Sequence, residues 1–105
     1  MPFNSDLSLE QKFKFFLEDK IQEPKLYRVV LHNDHYTSMD FVVEVLKTIF
    51  AMPAGQAEQV MLMVHTEGKG ECGIYPYDLA RTKVSQVNKM SRDNEYPLKC
   101  SYEPA

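Results

Sequence analysis

The sequence predicts an α+β domain: a small antiparallel sheet carrying three helices, in the order β-α-α-β-α-β. Three observations lead there. The run Leu26–Leu31 is apolar and β-branched enough for a strand. Three later stretches space their apolar residues at helical rather than alternating intervals. Two further short runs, around Cys72–Tyr75 and Leu98–Tyr102, sit between turn residues and read as strands. A small sheet covered on one face by helices is the simplest way to bury these patterns. Their order in the sheet is not readable from the patterns. With 105 residues, 44% of them hydrophobic, the chain supports one core domain plus a tail.

Residues 1–25 differ from the rest. Leu9, Phe13, Phe16 and Leu17 would share one helical face, with Ser5 or Asp6 as its cap. A polar run then leads through Glu18 to Lys25. Periodicity alone allows both a mobile extension and a packed peripheral helix. The core is expected over 26–105. Pro24 bounds the first strand. The next helix runs from Met39 to about Phe50, where Ala51-Met52-Pro53 ends it. A second helix begins near Gly55 or Gln56, buries Ala57, Val60, Met61 and Val64, and stops at Gly68. After the strand at Cys72–Tyr75, Pro76 and Asp78 open a third helix with Leu79, Ala80, Val84, Val87 and Met90 inward. Ser91–Pro97 is read as a loop, and the last strand as an edge.

Between the first strand and first helix lies a polar turn, Asn33-Asp34-His35-Tyr36-Thr37. Asn33 and Asp34 favour such a turn. Thr37 is expected to N-cap the helix, with Asp40 completing a capping box. Polar atoms held between a strand end and a helix start have fixed positions, and Met39 and Val42 follow on one helical face. That pairing suits a ligand with a charged head and an apolar tail.

The balance of charge narrows the function classes. A net charge of -3 with both signs interspersed argues against phosphate neutralisation of nucleic acid. No apolar run reaches membrane-spanning length, and the first residues lack a signal-peptide pattern. The expected location is the cytoplasm. Cys72 and Cys100 are expected to be reduced, buried thiols. Glu67-Gly68-Lys69-Gly70 lacks the phosphate-loop spacing. His32, Asp34, His35 and His65 do not assemble an indicated fourth metal ligand, and Asp34 with His65 alone is no catalytic triad. Neither a metal, a cofactor nor an enzymatic activity is expected. Met39, Val42, Met61, Val64 and Leu98 read as core by default. His65 is set beside Met61 and Val64 on one helical face, where a purely core position would leave its ring nitrogens to be satisfied.

The run Leu26–Leu46, followed by Met61-Leu62-Met63-Val64-His65 and Ala80-Arg81-Thr82-Lys83-Val84, closely resembles the bacterial ClpS adaptors. The resemblance covers about three quarters of the chain, through several motifs in order. It implies an adaptor for proteins with N-terminal Leu, Phe, Tyr or Trp. Such proteins are delivered to a ClpA-type unfoldase with its ClpP-type peptidase. By motif, Asn33, Asp34 and His65 would hold the free α-amino group. Thr37, Met39, Val42, Met61, Val64 and Leu98 would form the side-chain pocket. Asp78 and Lys83 would dock on the unfoldase, and residues 1–25 would be a flexible extension. The family's Asn-Asp-Asp-Tyr-Thr run departs here, with His35 in place of the second aspartate. That loses a negative charge near the bound amine, which weakens binding or makes it pH-sensitive. The rival reading is a non-catalytic interaction module of ribosomal-protein type, because the element order is not unique to adaptors.

Overall fold

The computed structural model describes residues 8–14 and 25–105. The order of elements in the core is β1 (Leu26–His32), α1 (Met39–Ile49), α2 (Ala54–Glu67), β2 (Lys69–Pro76), α3 (Tyr77–Asp93) and β3 (Lys99–Pro104). This is the predicted α+β order. A helical segment also covers residues 9–14. Ser8 caps it reciprocally with Gln11, each side chain accepting the other's backbone N–H at 3.1 Å. Ser8 thus caps the described segment, while the expected caps were Ser5 or Asp6. Those two, with Phe16, Leu17 and most of the expected extension, lie outside the described residues.

The sheet order is β2-β1-β3, antiparallel throughout. β1 takes the centre because it is the strand with three successive buried residues, Val29, Val30 and Leu31. Val29 and Leu31 enter the main core with Cys100 of β3, and helices cover this face. α3 crosses all three strands, α2 packs on β2, and α1 packs on both α2 and α3. On β1, Arg28 reaches Glu71 of β2 at 2.6 Å and Glu103 of β3 at 3.5 Å. These exposed pairs tie the strands laterally and contribute little each. Cys72 occupies the extra position where the β1–β2 register shifts between Val29 and Val30. Cys72 and Cys100 are buried and free on strands either side of β1. Two strand spacings, roughly 9.5 Å, exceed the reach of a disulfide. Burial pushes the Cys100 thiol up to about 12 and that of Cys72 higher than usual, so neither is a ready nucleophile.

The third helix departs from the expected picture in two respects. α3 continues through Ser91 to Asp93, with Ser91 Oγ donating to the Val87 carbonyl at 2.9 Å in the core. Leu79, expected inward, is 45% exposed. α1 ends where expected, at Ile49 with Phe50 as its C-cap and Ala51 at φ 53 just beyond, and Lys83 of α3 donates to the Ile49 carbonyl at 2.7 Å while its ammonium lies over the Phe50 ring. A cation at a helix C-terminus satisfies an orphan carbonyl and complements the dipole.

Candidate functional site

The site is built on the turn that joins β1 to α1. Asp34 organises it. Its Oδ1 accepts the backbone N–H groups of Tyr36 at 2.8 Å and Thr37 at 2.7 Å, and its Oδ2 accepts the Thr37 hydroxyl at 2.8 Å. Thr37 is thereby occupied, and the helix cap passes to its neighbour. Ser38 Oγ accepts the Phe41 N–H at 3.1 Å and donates to the Tyr96 hydroxyl at 3.2 Å. The expected Thr37–Asp40 capping box is thus replaced by a Ser38 cap. Phe41 holds the N3 position where a box needs an acid or amide, and Asp40 simply lies in the first turn. Phe41 packs on Tyr96 with ring centroids 4.5 Å apart, which pins the start of α1 to the segment before β3.

The other wall comes from the end of α2. Gly68 ends this helix with φ 92, donating its N–H to the Val64 carbonyl at 3.0 Å. Its own carbonyl accepts the Asn33 N–H at 2.9 Å. This bond brings the polar turn against the last turn of α2, which carries His65. Gly70 lets β2 approach the helix: a Cβ there would stand 2.8 Å from Val64 Cγ2 and 3.3 Å from the Val60 carbonyl oxygen.

Between these walls lies a cavity of ≈ 180 Å³ lined by Asn33, Asp34, His35, Thr37, Met39, Val42, Met61, Val64 and His65. It is smaller than the roughly 300–1,000 Å³ of sites that enclose a drug-sized ligand. Its scale suits a single side chain. The polar groups come from the turn and the end of α2, and the apolar ones from α1 and α2. Val42 and Val64 are buried, Met61 is half-buried, and Met39 is 44% exposed. The side chains of Asn33, His35 and His65 make no hydrogen bond to other described residues, leaving their donors and acceptors open to a ligand.

Burial opposes the Asp34 charge. The Thr37 N–H and hydroxyl, the Tyr36 N–H and the positive charge of His35 outweigh it and hold the carboxyl below its usual value. A carboxylate offers about four lone pairs, of which the turn uses two on Oδ1 and one on Oδ2. One charged acceptor position on Oδ2 remains. An ammonium, or an N–H donor of comparable charge, is the ligand group it suits.

Not every expected site residue meets here. Leu98 does not line the cavity: it is 4% exposed and belongs to the core cluster shared with Val42 and Val64. It stands just before β3 and packs inward in the same cluster as the cavity residues Val42 and Val64. Asp78 and Lys83 lie away from the cavity on α3, Asp78 exposed in the first turn and Lys83 half-buried against the end of α1. His32 is drawn off by Ser101, Nε2 to Oγ 2.7 Å. Among the described residues no group of three or more His, Cys, Asp or Glu is placed to hold a metal ion, and no helix is long and apolar enough to cross a membrane. His35 lines the cavity although it was not assigned to the binding set. Its adjacency to Asp34 was the available signal.

Comparison with known proteins bears on this geometry. The family model for "ATP-dependent Clp protease adaptor protein ClpS" matches residues 22–101. The chain is 56% identical over 96 residues to a ClpS adapter protein of Syntrophus aciditrophicus, covering 91% of this chain and 90% of that one. It is 51% identical over 89 residues to a counterpart in Shewanella piezotolerans, covering 85% and 87%. Its fold is similar to that of Agrobacterium tumefaciens ClpS2 bound to L-phenylalaninamide, with a TM-score of 0.77 and 35% identity over 79% of this chain and 100% of that one. Identity and coverage at these levels place the chain in the ClpS family, whose members are adaptors of the ATP-dependent Clp protease and not enzymes.

Proposed function

We propose that the chain binds proteins whose first residue is Leu, Phe, Tyr or Trp and delivers them to a ClpA-type AAA+ unfoldase in the cytoplasm. The observation that carries this reading is the cavity itself: one charged acceptor position beside a wall of Met39, Val42, Met61 and Val64. A free N-terminus presents that combination, a largely protonated amine next to a side chain. L-Phenylalaninamide, bound by the similar ClpS2, has the same two features. In this reading Asp34 Oδ2 accepts from the ammonium, the Asn33 amide and His65 complete its cradle, and methionines adapt to side chains of different shape. An acetylated terminus has lost its charge and a donor. A β-branched first residue would crowd Met39 at its Cβ.

Titration with peptides that begin Leu, Ile and N-acetyl-Leu tests recognition. Binding is expected for the first alone. Equal affinity for all three, or none for any, would return the chain to the class of general interaction modules.

Delivery is read onto Asp78, Lys83 and the extension before Lys25. Because Lys83 also caps α1, Lys83→Ala is expected to lower stability by about 1–2 kcal/mol in urea melts. Docking on the unfoldase N-terminal domain should fall by more than the folded fraction does. A chain starting at Lys25 should bind Leu-starting peptides normally and fail to accelerate their degradation by the reconstituted unfoldase and peptidase. Full delivery by that truncated chain would remove residues 1–25 from the mechanism. Unchanged docking of the Lys83 variant would remove Lys83.

A further inference from the structure

We propose that Met39 is a modification site: a hydroperoxide oxidises its thioether to the sulfoxide, and the polar product weakens the cavity's hold on apolar first residues. This rests on the peptide-binding reading above. The observation behind it is a contrast among the sulfur atoms of the chain. Met39 lines the cavity and is 44% exposed. Met63, on α2, is as open at 46% but lies outside the lining. Met61 lines the cavity and is half-buried, Met90 is half-buried and Met52 is buried. Among the described methionines Met39 alone combines wide exposure with a place in the lining. The two thiols compete poorly for an oxidant. A thiol reacts as its thiolate, and Cys72 and Cys100 are buried with their pKa values raised, so little thiolate forms near neutrality. A thioether has no proton to lose and needs no such activation. Oxidation therefore falls first on the two open methionines, and one of them stands at the binding surface.

The step needs only the oxidant. A lone pair on the Met39 sulfur attacks one oxygen of hydrogen peroxide, the S–O bond forms and the O–O bond breaks. The second oxygen leaves as water, taking both protons. Sulfur is oxidised by two electrons and the peroxide is reduced by two. The product is a polar side chain in place of an apolar, flexible one. Val42, Val64 and Met61, the other apolar residues of the lining, offer a sulfoxide oxygen no donor. The Thr37 hydroxyl is committed to Asp34 Oδ2. The donors left are those of Asn33 and His65, which the reading above gives to the bound terminus. An inward sulfoxide oxygen thus stays unsatisfied or takes a donor from the ligand's cradle. An outward one draws the side chain off the wall. A desolvated polar group without a partner costs enough to weaken binding by roughly five- to a hundredfold.

The test treats the full chain with hydrogen peroxide at neutral pH, removes the oxidant and maps sulfoxides by peptide mass spectrometry. The Kd of a Leu-starting peptide is then measured before and after treatment for the parent, Met39→Leu and Met63→Leu. Sulfoxide is expected at Met39 and Met63 well before Met52 and Met90. The parent should lose roughly five- to a hundredfold in affinity. Met63→Leu should lose as much, while the ratio of treated to untreated Kd in Met39→Leu should stay near one. Along a time course in the parent, the loss should follow the fraction of Met39 sulfoxide and not that of Met61 or Met63, a readout that holds however tightly Met39→Leu binds. Methionine sulfoxide reductase should restore the parental Kd, since this oxidation is reversible. Circular dichroism melts check that the treated proteins remain folded. A Met39 that stays reduced while Met63 is oxidised overturns the proposal. So does a Met39 sulfoxide with unchanged affinity, or a loss that follows another methionine. Absence of binding by the untreated parent would instead sink the peptide-binding reading, and this inference with it.

Discussion

Asp34→Ala is expected to weaken binding of a Leu-starting peptide by about 2–4 kcal/mol, a loss of roughly 30- to 1,000-fold in Kd. Two causes add. The variant removes the charged acceptor position on Oδ2, and it removes the scaffold that orders the turn through Tyr36 and Thr37. Asp34→Asn separates them. Its amide oxygen can still accept both backbone N–H groups, so the turn persists while the charge is gone. If charge dominates, the two variants lose similar affinity. A nearly intact Asp34→Asn would mean that the turn, not the carboxylate, matters. An Asp34→Ala variant that bound as well as the parent would remove the residue from the site altogether.

The same bonds carry a pH signature in stability. Because folding lowers the Asp34 pKa, its contribution is present above the unfolded value and is lost as pH falls through the folded one. The stability gap between the parent and Asp34→Asn should therefore hold near neutrality and narrow in acid, below about pH 4. Urea melts across that range provide the measurement. A gap that widened in acid would contradict the sign.

Much of this fold was legible because local preferences and burial agree. Val29-Val30-Leu31 reads as strand and is the most buried strand segment. Ala57 and Val64 read as the inner face of a helix and are buried there. The errors arose where one residue had two competing uses. Thr37 has the chemistry of a cap, but Asp34, three residues earlier, captures both its hydroxyl and its N–H, and Ser38 caps in its place. Leu98 has the chemistry of a pocket wall and also packs in the core cluster, next to an edge strand whose position no periodicity reveals. Lys83, expected on a docking surface, also reaches a carbonyl at the end of a helix far away in sequence, a contact that no pattern encodes. The approach of Asn33 to His65 depends on a backbone bond to Gly68, which side-chain patterns do not encode.

That junction is also where a single methyl group should matter most. Gly70→Ala is expected to destabilise the domain by about 1–3 kcal/mol, lowering Tm by roughly 4–8 °C per kcal/mol for a domain of this size. The added Cβ would meet Val64 Cγ2 at 2.8 Å and the Val60 carbonyl oxygen at 3.3 Å. Val64 has little room to yield: its side chain is stiff at χ1 and only 2% exposed. It also lines the cavity, so any displacement reshapes the proposed binding surface. Val64→Ala removes the offending methyl and leaves a small void, with its own cost of about 1–2 kcal/mol. If the close approach is the cause, the double variant should lose clearly less than the sum of the two single losses, by at least 0.5 kcal/mol or so. Urea midpoints of the four proteins close this cycle, and Leu-peptide binding follows the cavity. Strict additivity would relocate the clash to the Val60 carbonyl, while a Gly70→Ala protein as stable as the parent would show that β2 and α2 separate freely.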